Sequence, residues 1–132
     1  MKRKYKVLII AGLILAIILF FLRGSEDTWI KNENGEYIEH GTPSEVPDYV
    51  AEQQTAIIEA LQLYQGKKQQ GMRFSSQCLG VVGENIRYAV DIVHIPRSEE
   101  DDFIKNQCED YLDGKIKNFI ELDNEGNIVR II

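Results

Sequence analysis

Two cysteines, two histidines, three prolines and one tryptophan are few for a chain of 132 residues. The cysteines and histidines never fall at C-x-x-C or H-x-x-x-H spacing, so nothing points to a close-pair tetrahedral metal site. No Gly-x-Ser-x-Gly elbow occurs. No internal repeat or low-complexity tract points to a solenoid or a disordered tail. Basic charge is scarce beyond residue 23, where ten Lys and Arg stand against 21 Asp and Glu. That balance argues against nucleic acid and anionic lipid surfaces as partners of this part, since both demand basic patches. Acidic charge is scarce at the other end, where no Asp or Glu precedes Glu26.

What the chain does have is one uninterrupted apolar run, Val7 to Leu22, of sixteen residues (VLIIAGLILAIILFFL). As a helix it rises about 24 Å. The remainder of a ~30 Å hydrocarbon layer is bridged if Tyr5 sits at the interface and Lys6 and Arg23 extend their charges outward. Lys2, Arg3, Lys4 and Lys6 precede the run, against Arg23 alone just after it, so the positive-inside rule keeps residues 1–6 in the cytoplasm. A cleaved signal peptide is the competing reading. The run ends Phe20-Phe21-Leu22-Arg23-Gly24, however, with Gly24 and Ser25 its only small residues and Leu22 where cleavage wants a small one. The expectation is a transmembrane helix over 7–22 held by the lipid bilayer, an extracytoplasmic stalk over 23–47, and one domain over 48–132. The protein is then a single-pass cell-membrane protein.

Within the stalk, Asn34-Gly35 between TWIKN and EYIEH predicts a two-residue hairpin turn, with Trp29 opposite His40 and Lys31 opposite Ile38. Asp48–Gln65 predicts the one long soluble helix. Val46, Val50, Ile57, Leu61 and Tyr64 recur at helical spacing, with Ile58 and Ala60 beside them. Glu52, Gln53, Glu59, Gln62 and Gln65 form the polar face, and Gly66 is the expected stop. Two alternating runs, Arg73–Val82 and Ile86–Ile95, predict an antiparallel hairpin turning at Gly83-Glu84-Asn85. In the first, Phe74, Ser76, Cys78, Gly80 and Val82 share a face. Ser98-Glu99-Glu100-Asp101 resembles a capping box opening a short helix over 99–112 or an irregular crossing. Strands over 115–122 and 127–132, joined at Asp123–Gly126, complete the chain. The fold expected is α+β, a two-layer domain with one long helix packed on a four-stranded antiparallel sheet.

Two stretches carry resemblances. Trp29-Ile30, Gly35-Glu36-Tyr37-Ile38, His40-Gly41 and Pro43-Ser44 resemble a Trp-Ile…Gly-x-aromatic-aliphatic-x-His-Gly-x-Pro-Ser element. It occurs just outside the anchor in exported proteins of small-genome bacteria, and it implies location only; Lys31 stands where that element often carries cysteine. Residues 48–95, a long helix followed by Val81-Val82-Gly83, Asn85 and Tyr88, resemble the cystatin-type fold. That likeness implies a possible binding tip at Val81, Val82, Gly83, Glu84 and Asn85 that would enter a protease cleft. Leu79 or Gly80 stands where the family has Gln, and a second tip with Trp is missing.

Candidate chemistry is sparse. Asp91 and His94 lie three apart on a strand, so alternation sends them to opposite faces and denies them a dyad. Ser75 and Ser76 have no base beside them in sequence, so no catalytic residue is expected. Cys78, Cys108, His94 and His40 lack ligand spacing, and the loop at Asp123, Glu125 and Asn127 is too short for an EF-hand. No metal or cofactor is expected. In an exported domain two cysteines favour a disulfide, Cys78–Cys108, over two buried free thiols. The function expected is a membrane-anchored extracytoplasmic binding or structural module with a protein partner outside the cytoplasm; a cystatin-like inhibitor is the alternative.

Overall fold

The computed structural model describes residues 2–23 and 27–132. Gly24 and Ser25, where cleavage would fall, lie outside the described residues. The chain divides into two compact units, one around the N-terminal helix and one comprising residues 31–38 and 45–132.

Helix α1 (Lys2–Arg23) has the length and composition to cross a membrane. Its window Arg3–Phe21 has a mean hydropathy of 2.3, and none of it is buried against protein. Nothing polar competes for its backbone, so every interior N–H and C=O pairs within the helix, as a lipid environment requires. A signal sequence meets the same description.

Strands β1 (Thr28–Lys31) and β2 (Tyr37–His40) pair as a two-stranded ribbon. Their turn is one residue longer than Asn-Gly alone predicts. Asn32 N–H donates to Glu36 O, Gly35 N–H donates to Asn32 O, and the register moves accordingly. The cause is the Asn32 side chain, whose Oδ1 accepts the Asn34 and Glu36 N–H groups and so makes a three-residue turn the better-bonded solution. The hairpin tip does not stand free. Gln53 of the long helix accepts the Tyr37 N–H (2.8 Å) and donates to Gly35 O (3.0 Å), while Asn34 O accepts the Ile131 N–H (2.7 Å).

Helix α2 runs Asp48–Gln69, a turn beyond the expected stop at Gly66. Glycine inside a helix costs only about 1 kcal/mol. The left-handed residue that ends this helix is Gly71 (φ 80°), and Met72 N–H closes the turn onto Lys67 O. Its inward face is Val50, Gln53, Ala56, Ile57, Ala60 and Tyr64. Val46 and Ile58 are exposed instead, and Leu61 only flanks the core. The small Ala56 and Ala60 sit where the helix packs, and Gln53 is inside because the hairpin tip supplies partners for its amide.

The sheet has the order β3 (Gln77–Val82), β4 (Tyr88–Ile92), β5 (Asn118–Leu122), β6 (Ile128–Ile131). It is mixed and not purely antiparallel: β3–β4 and β5–β6 are hairpins, but β4 and β5 run parallel. The reason is the long connection 93–117, which returns the chain to the end of the sheet where β4 began; parallel neighbours need such a crossover. The all-antiparallel sheet implied by the cystatin likeness is therefore not present. A bulge between Cys78 and Gly80 corrects a second expectation. It turns Leu79 and Val82 onto the helix-covered face and Cys78 onto the other, where simple alternation puts Cys78 and Val82 together.

The helix-covered face holds the main core: Leu79, Val82, Tyr88, Val90, Ile92, Ile120, Leu122 and Ile131 against Ala56, Ile57, Ala60 and Tyr64. At one edge Tyr64 donates its hydroxyl to Asn124 O (3.0 Å). Gly126 beside it (φ 90°) leaves room for the Tyr64 ring that any Cβ would strike. The opposite face is covered by the crossover. There the chain forms two 3-10 turns, Glu99–Asp102 and Ile104–Asn106, and a single helical turn α3 (Glu109–Leu112) in place of one continuous helix. Cys78 and Cys108 are joined as a disulfide with Cα atoms 4.9 Å apart, pinning this segment to β3.

Candidate functional site

The crossover-covered face is where charge goes inside. In the parallel register Asp91 stands beside Glu121, and Glu121 is opposite Arg130 on β6. Each points away from the helix because its neighbours Val90, Ile92, Ile120 and Leu122 occupy the other side. Glu121, whose side chain is 7% exposed, takes Arg130 in a two-point contact (Nε–Oε2 3.2 Å, Nη2–Oε1 3.1 Å). It also receives Arg97 Nη1 from the crossover at 3.2 Å, while Arg97 Nη2 holds Asp102 at 3.0 Å. Arg130 lies over the Phe119 ring, 5.0 Å from its centroid, and Tyr111 meets that ring edge-on at 5.3 Å. A cavity of about 170 Å³ opens among Asp91, Arg97, Glu121, Arg130, Tyr111 and Phe119.

Both arginines are committed to Glu121, and Asp91 is left differently placed. Burial pushes its carboxyl up to about 7, and the adjacent Glu121 pushes the same way; the Cys108 backbone N–H and Arg97 oppose them and lose. Asp91 Oδ1 lies 3.2 Å from Cys108 Sγ. Cys78, Cys108 and Asp91 bring their side-chain ligand atoms within 4.8 Å of one another. With the two sulfurs bonded to each other this is not a pair of thiolates, and the trio is a disulfide with an acid beside it rather than a metal set.

A second constellation lies where the crossover begins. His94 meets Asp101 and not Asp91: Nδ1 is 2.9 Å from Asp101 Oδ1, and the His94 backbone N–H donates to both carboxylate oxygens at 3.1 Å. Ser98 N–H donates to Asp101 Oδ2 (2.9 Å), completing the expected capping box. Burial raises the Asp101 carboxyl, but the hydrogen bonds from Ser98, His94 and Ser76 outweigh it and hold the group below the usual carboxylate range. Ser98 Oγ is 2.9 Å from His94 Nδ1, and Ser75 Oγ is 3.5 Å from Nε2. Ser75, His94 and Asp101 therefore have the connectivity of a nucleophile, a base and its orienting acid. Ser75 and His94 do not line the cavity, Ser75 sits on an exposed bend, and Asp101 is engaged by backbone as a brace of the turn.

The tip proposed for binding is pinned at its base. Glu59 accepts the Gly83 N–H (2.7 Å), and Glu52 accepts the Ile86 N–H (2.7 Å) and the Asn85 amide (3.1 Å). Val82 is buried and Val81 half-buried, so only Glu84 and Asn85 stand out. The parallel pairing of β4 and β5 puts this turn and the 123–126 turn at opposite ends of the sheet. At the latter, Asp123 accepts N–H groups from Glu125 and Asn127 and the Asn127 amide, so its carboxylate is spent on the turn. Those bonds outweigh burial and hold Asp123 below its ordinary range.

Sequence reasoning missed the Asp91, Glu121, Arg97 and Arg130 cluster. Its one visible trace was an acid inside the apolar stretch Tyr88–Val93, since a charge in a buried strand needs a reason. Comparison with protein-family models, with curated proteins and with solved structures finds no match to this chain.

Proposed function

We propose that this is a single-pass membrane protein that presents a small binding module outside the cytoplasm. Residues 1–6 face the cytoplasm, α1 lies in the bilayer, and the α+β domain is displayed on the far side to a protein partner. The observation that carries the reading is the pairing of a bare apolar helix behind basic residues with a domain closed by a disulfide. A bridge of this kind suits an oxidising compartment. Beside the cavity mouth, Arg97 and Arg130 are held in place by Glu121 with their side chains partly exposed. A cystatin-type inhibitor needs two tips side by side, and the mixed sheet separates them.

The test is topological. Full-length protein expressed in a bacterium is expected to stay with membranes after alkaline carbonate washing, and protease added outside spheroplasts should remove the domain. A soluble mature form beginning near Ser25 would overturn the anchor, and a domain protected in intact spheroplasts would overturn the orientation.

A further inference from the structure

On the crossover-covered face, ion pairing satisfies Glu121 twice over, while among the described residues no basic group forms an ion pair with Asp91. A disulfide needs no acid beside it, and an apolar side chain at that position would pack without a desolvation cost. Groups kept at such a cost in a cavity are candidates for chemistry. The two cysteines beside it differ in exposure: Cys108 is 2% exposed, and Cys78 is half-buried. We infer that Cys78–Cys108 is a thiol–disulfide exchange centre for dithiol substrates, with Asp91 placed to transfer a proton to Cys108.

The chemistry is two successive thiol–disulfide exchanges. A substrate thiolate attacks Cys78 Sγ, the sulfur of the more exposed cysteine, and forms a mixed disulfide. The electron pair of the broken S–S bond passes to Cys108 Sγ, and the Asp91 carboxyl proton, at 3.2 Å, moves to that sulfur. The second substrate thiolate then attacks the mixed disulfide. The substrate leaves as a disulfide, and Cys78 departs as a thiolate that takes its proton from water. Two electrons pass from the dithiol to the bridge, and reoxidation requires a second disulfide by the reverse route. Asp91, pushed up to about 7, carries its proton below that pH because burial disfavours its charge and Glu121 on β5 repels it, while the Cys108 backbone N–H and Arg97 on the crossover oppose them. Arg130 on β6 is held by Glu121, Asp101 is turned to His94 and Ser98, and Tyr111 completes the lining. The inference stands whichever way α1 faces.

The test follows reduction of the bridge in the full-length chain in detergent micelles, with dithiothreitol as the probe. Dividing the rate by the reagent's thiolate concentration removes the reagent's own titration. The quotient should fall about ten-fold from about pH 6 to about pH 8, tracking the protonated fraction of a carboxyl titrating near 7. In Asp91→Asn the quotient should be lower at the acid end and flat, an outcome that a merely structural role for the carboxyl does not produce. In Cys108→Ser, oxidised glutathione should form a mixed disulfide at Cys78, whereas Cys78→Ser should leave Cys108 unmodified. The cysteine variants and the wild-type profile decide the matter even if Asp91→Asn fails to fold. A flat wild-type profile, a bridge that opens only in denaturant, or modification of Cys108 in preference to Cys78 overturns the inference.

Discussion

The two faces of this sheet are built on opposite principles. The face under α2 is apolar from edge to edge, its side chains drawn from all four strands, and its buried polar groups are few and satisfied. The face under the crossover has a small apolar cluster of Ala89, Cys108, Phe119, Cys78 and Tyr111, and beside it charges paired across three segments. Burial of apolar area holds the first face together without regard to orientation. The second depends on directional bonds and one covalent link, because a chain with only a single helical turn there has no continuous stripe to bury. A face of that kind is harder to stabilise and easier to give a chemical task.

The comparison predicts a hierarchy of effects. Leu122→Ala, on the helix side and fully buried, should cost about 4 kcal/mol, read from urea melts of the full chain. A loss under 1 kcal/mol would mean that the helix face is not the main support. Replacing both cysteines by serine should cost about 3.5 kcal/mol, as expected for a loop closed by a bridge of separation 30. If it cost nothing, the crossover would be held by its ion pairs alone.

The next effect has the opposite sign. A carboxyl raised from 3.8 to about 7 in the folded chain supports folding fully below about pH 4, loses that support between about 4 and 7, and is level above. Asp91→Asn should therefore fall below the wild type by about 2 kcal/mol in acid, where its amide is desolvated in place of a neutral carboxyl, and exceed it by about 2 kcal/mol above pH 7, what remains of the full linkage value. Melts across that range that show no crossover between the two chains would show Asp91 to be solvated. Smallest of all, Ile58→Ala should change stability by less than about 0.5 kcal/mol, since Ile58 is 57% exposed, whereas Ile57→Ala beside it should cost about 2. Equal effects would place the inward face of α2 elsewhere.

How much of this was legible varies with the range of the interaction involved. The long helix, the four strands and the turn at Gly83-Glu84-Asn85 announce themselves in local periodicity. The extension of α2 to Gln69 does not, because Gly66 and Gly71 both look like stops and only one takes the left-handed conformation. Gln53 reads as a surface residue until the hairpin tip arrives to receive its amide. Strand alternation says only that His94 and Asp91 part; the pairing of His94 with Asp101 depends on the turn at 98–101, which folds back onto the strand end.

By itself the sequence determined an apolar N-terminal helix with basic residues ahead of it, a helix-then-hairpin α+β order and an even cysteine count, all of which rest on neighbouring residues or simple composition. Only the tertiary structure decided that β4 and β5 run parallel, that the bulge at Leu79 turns Cys78 toward Cys108, and that Asp91 lies against the bridge. The physical reason is that strand direction and face depend on where a 93–117 connection leads the chain, and no local propensity encodes a path set by packing at both of its ends.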